Sequence, residues 1–276
     1  MKNTKKFGAL LLTLALSLSL SACGEKTATP PADAAPDAPA ADSDVAYIQD
    51  KGTLIVGMTD FAPMDYKNDA GEWIGFDADM AKLFAESLGV KIEFVEINWD
   101  NKVLELDTKA IDAVWNGMTL TQEVTSLMGT TTPYCNNGQV VVVAANQADK
   151  YQTADSLKDL KFAVENGSAG AEQLDELGLS YTALQTQANA LMEVASGASD
   201  ACVIDLLMAG AMIGEGTSYP DLTYTVQLNS EEYGVGFRKG SDMVDAFNAF
   251  LKSTYDAGKV MEVATTYGVQ ESVIKQ

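Results

Sequence analysis
The pattern that most limits this chain is an alternation of strand and helix signals that begins at Thr53 and starts again at Lys161. Leu54-Ile55-Val56 is a short apolar run of the kind buried in a sheet. Met80, Leu83, Phe84 and Leu88 share one face of a helix over Asp77 to Leu88, with Gly89 as its stop. Val90, Ile92 and Phe94 alternate with Lys91 and Glu93, which reads as a strand. A helix over about 101–108, a strand over 111–115 and a strongly apolar strand over 139–144 complete the first round. The second round reads as a strand at 161–165, helices at 169–177 and 187–196, a strand at 201–204 and a helix at 206–213. Strands at 222–226 and 232–237 and helices at 242–253 and 258–266 close the chain. Such alternation argues for parallel α/β packing. Two rounds within about 230 residues argue for two lobes.

Composition removes several functions. The 276 residues carry 18 basic and 39 acidic side chains, a formal charge of −21, and such a surface repels phosphate backbones, so no nucleic-acid partner is expected. Histidine is absent, which removes Ser-His-Asp and Cys-His catalysis and the H-E-x-x-H zinc site. Phosphate-loop patterns and EF-hand spacing are also absent, so neither cofactor nor metal is expected.

The first residues read as an export signal. Lys2, Lys5 and Lys6 precede an apolar stretch from Phe7 to Leu20, which suits a signal peptide better than a membrane span. Leu20-Ser21-Ala22-Cys23 resembles the lipobox of bacterial lipoproteins, which implies a signal peptide at 1–22 and a lipid on Cys23; the alternative is an ordinary secretory signal with an incidental cysteine. Residues 24–44 hold four of the seven prolines among Ala and Asp, a composition for a tether rather than a core. Cys135 and Cys202 remain, either as an exported disulfide or as two small buried thiols.

Five local patterns in the body resemble the family 3 solute-binding proteins of bacterial ABC importers, mostly amino-acid receptors. They are Gly71-Glu72-Trp73-Ile74-Gly75-Phe76-Asp77-Ala78-Asp79, the run Ile111-Asp112-Ala113-Val114-Trp115-Asn116-Gly117-Met118-Thr119-Leu120-Thr121, Thr132-Pro133-Tyr134 leading into Val140 to Val143, Val164-Glu165-Asn166-Gly167-Ser168-Ala169-Gly170, and Ser199-Asp200-Ala201-Cys202-Val203-Ile204-Asp205. The resemblance implies a two-lobed α/β fold of the type II periplasmic-binding-protein kind, with a ligand cleft between lobes joined by two hinge strands. Lobe 1 is expected over about 45–141 and 235–276, and lobe 2 over about 142–234. It further implies a monomer held by its lipid on the outer face of the cytoplasmic membrane. That monomer closes on a small-molecule ligand, an amino acid or small polar amine, and is read by an ABC permease with its ATPase.

The same resemblance distributes the site. Asp205, after an apolar strand, falls where a carboxylate takes the ligand amino group; it is also placed to cap the following helix. Trp99 and Phe61 match aromatics on opposite walls, with the core as the alternative for each. Asn116, Gly117, Met118 and Thr119 match the loop that meets the ligand carboxylate, with Thr121 as a further hydroxyl or a cap, and Gly167, Ser168 and Ala169 match the facing loop. Asp60 matches the loop that reads the ligand side chain, or is a turn residue. Asp65 and Glu165 are further acids that could face the cleft. The departure is Val124: Thr121-Gln122-Glu123-Val124 stands where the family has T-x-E-R, whose arginine grips the ligand carboxylate, and Arg238 sits at a surface-like position. An arginine-free cleft favours cationic or zwitterionic ligands over dicarboxylates. The same fold also carries cyclohexadienyl dehydratases, but their anionic substrates want guanidinium groups and the missing arginine counts against them, so no enzyme is expected; an envelope sensor or scaffold is a third class.

Overall fold
Local stop and start signals set most of the elements in the computed structural model, which describes residues 43–276. In chain order they are α1 (Asp44–Lys51), β1 (Thr53–Met58), β2 (Tyr66–Lys67), β3 (Trp73–Ile74), α2 (Phe76–Leu88), β4 (Lys91–Glu96), α3 (Lys102–Asp107), β5 (Ala113–Thr119), α4 (Gln122–Leu127), β6 (Gly129–Thr130), β7 (Cys135–Asn137), β8 (Gln139–Ala144), β9 (Phe162–Glu165), α5 (Ala169–Glu176), β10 (Tyr181–Leu184), α6 (Gln187–Ser196), β11 (Ala201–Asp205), α7 (Leu206–Met212), β12 (Leu222–Gln227), β13 (Glu231–Phe237), α8 (Met243–Asp256) and α9 (Lys259–Thr266). Gly89 and Gly197 end α2 and α6 with left-handed φ of 73° and 75°, a conformation glycine adopts at little cost. The signal peptide, Cys23 and nearly all of the tether fall on residues outside those described. Asp44, read as the tether's last residue, instead starts α1 and is buried, because Arg238 Nε donates to its carboxylate at 3.0 Å.

The strands form two main sheets. The first has the order β4-β1-β5-β13-β6, with β7 also paired to β13; the second has the order β10-β9-β11-β8-β12. The expectation of parallel packing holds only in part. β1 is parallel to β4 and β5, and β9 to β10 and β11, but β13 and β8 run antiparallel to their neighbours. The reason is connectivity. β8 and β13 each arrive directly from the other sheet, so they enter at the edge where β5 and β11 end, and must run the opposite way.

These two crossings lie side by side. One passes through Gly138, the other through residues 228–230. Leu228 N donates to Gln139 O at 2.8 Å and Gln139 N to Asn229 Oδ1 at 2.7 Å. A Cβ on Gly138 would lie 2.5 Å from Gln227 Nε2 and 2.8 Å from Asn229 O, so only glycine lets the crossings touch. Both crossings come earlier in the chain than the expected boundaries at 141/142 and 234/235, because β8 pairs along its length within the second sheet and β13 within the first.

Helices cover both faces of each sheet. α2 and α8 bury Phe84 and Phe247 against Trp115, with the Trp115 and Phe247 ring centres 4.8 Å apart. The opposite face of the first sheet packs Ile111, Val114 and Met118 with Leu106 of α3 and Val124 of α4. In the second sheet Val140 to Val143 are all fully buried, as a strand covered on both faces requires. Cys135 and Cys202 are both free, buried thiols, one in each main sheet, so the disulfide alternative is not realised.

Candidate ligand-binding cleft
The parallel strands of both sheets end toward one cleft, where a sheet's carboxyl edge presents groups that the strands themselves do not use. A narrow cavity of about 20 Å³ lies there. Trp99, Asn116, Gly117, Met118 and Thr119 line it from the first sheet's side, and Gly167, Ser168, Ala169 and Asp205 from the second. A more open groove of about 770 Å³ beside Asn98, Asn166 and Met192 is lined by no buried charged side chain.

Asp205 closes β11 and is 4% exposed. Its Oδ1 accepts from Tyr233 OH at 2.6 Å, from Gln139 Nε2 at 3.0 Å and from Asn137 Nδ2, while Oδ2 accepts from Gln187 Nε2. Although it occupies the N-cap position of α7, its carboxylate does not cap; Asn137 Oδ1 takes the Leu207 N–H instead, at 3.2 Å. Burial, with Glu231 as a like charge, pushes the Asp205 carboxyl up to about 7 against the pull of its donors. Glu165, the last residue of β9, lines the same cleft and is pushed up to about 8 by burial and by Asp205. Its Oε1 has no hydrogen-bond partner among the described residues. A cation brought beside these two buried acids would lower both pKa values.

Other expected contacts are committed elsewhere. The Asn116 side chain is taken up by protein partners: Oδ1 accepts from Thr59 N at 3.0 Å, and Nδ2 donates to Asp65 Oδ2 at 2.8 Å. Gly117 N donates to the buried Asp77 carboxylate at 2.6 Å, so its N–H is not free for a ligand. With φ at 55° and a virtual Cβ 2.4 Å from Phe61 Cε1, this position tolerates only glycine. Thr119 Oγ1 donates to Glu231 at 2.9 Å, and Ser168 caps α5 by accepting from Ala171 N at 3.2 Å. Thr121 lines the cleft and caps α4, accepting from Val124 N at 3.3 Å.

Phe61 and Asp60 do not line this cleft. Phe61 N donates to Asp65 O at 2.7 Å, and the turn this closes buries the ring edge-on against Tyr233, 6.4 Å between centres. Asp60 is exposed beside Lys67 and Glu96, and partial enclosure raises its carboxyl pKa, with Glu96 adding to the rise. Asp65 is buried behind Asn116 rather than facing the cleft. Arg238, expected near the surface, is 9% exposed and bonds Asp44 and the Ile111 carbonyl, the latter at 3.0 Å. Two charged residues absent from the sequence-derived site line the cleft, Lys102 and Glu172. A lysine or glutamate on an amphipathic stretch reads as solvated, and only the packing of the lobes shows otherwise.

Comparison with known proteins supplies the class. The chain is 28% identical over 205 residues, 73% of this chain and 77% of the other, to the L-cystine-binding protein TcyJ of Escherichia coli (strain K12). It is 29% identical over 268 residues, 93% and 95% of the two chains, to the arginine-binding extracellular protein ArtP of Bacillus subtilis (strain 168). Among solved structures, an ABC uptake transporter substrate-binding protein from Streptococcus pneumoniae with bound histidine superposes with a TM-score of 0.78 at 25% identity, covering 86% of this chain and all of that one. The paired sheets therefore form the two lobes of a type II periplasmic-binding-protein architecture. The profile of bacterial extracellular solute-binding proteins, family 3, matches residues 54–270, and the chain belongs to that family.

Proposed function
We propose that the protein captures an amino acid carrying net positive or zwitterionic charge, closes its lobes over it, and delivers it to an ABC permease with its ATPase. The observation that carries this reading is the buried Asp205 carboxylate at the cleft, with Glu165 beside it and its Oε1 unpartnered among the described residues. A ligand ammonium supplies the missing charge, and lobe closure strengthens the bond by removing water. Relatives named for arginine, L-cystine and histidine support the class, since each of those ligands bears an ammonium group and a carboxylate. The lobes in this reading are residues 43–138 with 230–276, and 139–229, moving about the paired crossings at Gly138 and 228–230. The receptor acts as a monomer on the outer face of the cytoplasmic membrane, anchored through a lipid on Cys23, which mass spectrometry of the mature N-terminus checks.

Thermal shift of the full-length protein against amino acids, amines, nucleosides and dicarboxylates tests the ligand class. Ligand at about 100 times its dissociation constant adds ~2.7 kcal/mol, about 5–10 °C for a chain this size. A shift with one amino-acid group is expected. A shift confined to dicarboxylates or nucleosides, or none at all, overturns the reading.

A further inference from the structure
Lys102 stands at the start of α3, and its side chain turns inward beside the cleft's carboxylates; the residue is only 9% exposed. Its Nζ donates to Trp99 O at 3.3 Å on its own side and to Gly167 O at 3.0 Å across the cleft, and lies 5.1 Å from the centre of the Trp99 ring. An ammonium has three N–H donors, so one is left without a protein acceptor among the described residues. Among those residues Lys102 is also the single cationic side chain lining the cleft. Val124 lines the cleft and an adjoining groove together with Lys102, so the cation enters from α3 at a place where α4 offers only an aliphatic group.

The surroundings say what such a cation is for. Glu165, Glu172 and Asp205 line the same space, and without Lys102 every charged side chain there would be an acid. A buried ammonium resting on two neutral carbonyls gains a charge-assisted bond when a carboxylate arrives. We propose that Lys102 holds the carboxylate of an amino acid whose ammonium is held by Asp205, and that it makes the cleft select amino acids over the matching decarboxylated amines. This rests on the amino-acid reading above and names the residue that enforces it.

The test is calorimetric titration of the full-length protein with three pairs: L-arginine and agmatine, L-histidine and histamine, L-cystine and cystamine. In the wild type, the amino acid of the bound pair should bind at least tenfold tighter than its amine. Lys102→Met should weaken that amino acid by about 10- to 150-fold, the worth of one charge-assisted bond, and leave the amine no weaker. Lys102→Arg should stay within about tenfold of wild type. Lys102→Met combined with Val124→Arg should regain most of the loss, because it returns a cation to the same space. Equal weakening of amino acid and amine, or none, overturns the role of Lys102 while leaving the receptor reading intact. So does a wild type that binds both members of a pair alike, a result that needs no variant to fold. If another amino acid of the thermal panel is the one bound, it and its decarboxylated amine form the tested pair; a wild type that binds no amino acid of that panel overturns the amino-acid reading and this inference with it.

Discussion

Replacing Asp205 by asparagine should weaken ligand binding while stabilising the empty protein, and the two effects have one cause. Asparagine keeps the shape and an oxygen for Tyr233, Gln139 and Asn137, and gives up the bond from Gln187 Nε2, but removes a carboxylate that burial and Glu231 hold up at about 7. In the unfolded chain that carboxyl ionises near its ordinary value of 3.8. Between these values the native state binds a proton that the unfolded state has released, so Asp205 costs stability as pH rises from about 4 to about 7 and bears its full cost above that. One pH unit is about 1.4 kcal/mol. The roughly two units between pH 5 and 7 therefore separate variant and wild type by a further ~3 kcal/mol, about 6–12 °C in Tm at 2–4 °C per kcal/mol. Relief of Glu165, which Asp205 also pushes up, acts in the same direction. In the bound state the sign reverses. An ammonium left without its buried counter-charge loses about 2–5 kcal/mol, or roughly 30-fold or more in affinity. The assay is a melting profile of ligand-free wild type and Asp205→Asn from pH 5 to 8, followed by titration with the ligand found in the panel. Superimposed melting profiles refute the account of the raised pKa. Unchanged affinity refutes the ammonium role. A variant that is less stable than wild type by the same margin at every pH would show that the hydrogen bonds, not the charge, dominate this site.

Two further substitutions separate folding from binding. Gly117→Ala forces a left-handed residue to carry a Cβ 2.4 Å from Phe61 Cε1, and should lower stability by about 2–5 kcal/mol, seen as a lower urea midpoint at unchanged slope. A midpoint within experimental error of wild type would mean that the Phe61 turn moves freely. Arg238→Met leaves the buried carboxylates of Asp44 and Asp112 without their guanidinium, which lies 3.0 Å and 3.6 Å from them. It should destabilise by about 3–5 kcal/mol with dissociation constants unchanged; weakened binding in the folded variant would place Arg238 in the recognition path after all.

What the sequence disclosed here is place along the chain, and what it withheld is aim. Helices α2 and α6 were legible to within a residue because Gly89 and Gly197 stop them locally. For α4 only the start was legible, from the Thr121 cap, and not the extent, since Gln122–Leu127 has two apolar residues and one of them, Leu127, is exposed; the packing of Val124 supports the rest. The strand-end motif ends at the cleft, where Asn116 is among the lining residues, yet the neighbouring strand engages its side chain: β1 runs parallel beside β5, and Thr59 just beyond it takes the amide. Phe61 behaves the same way, its ring turned into the core by the bond between its own N–H and Asp65 O. Lys102 is the converse case. Nothing in Asn101-Lys102-Val103-Leu104 marks an inward lysine, because what turns it inward is the Trp99–Asn101 turn before it and a carbonyl acceptor, Gly167 O, from 65 residues further along the chain. A motif can carry a residue to the edge of a sheet, but partners distant in sequence decide whether it faces ligand or core. Lys102, the single cation lining this cleft among the described residues, therefore lies outside the motifs that identify the family.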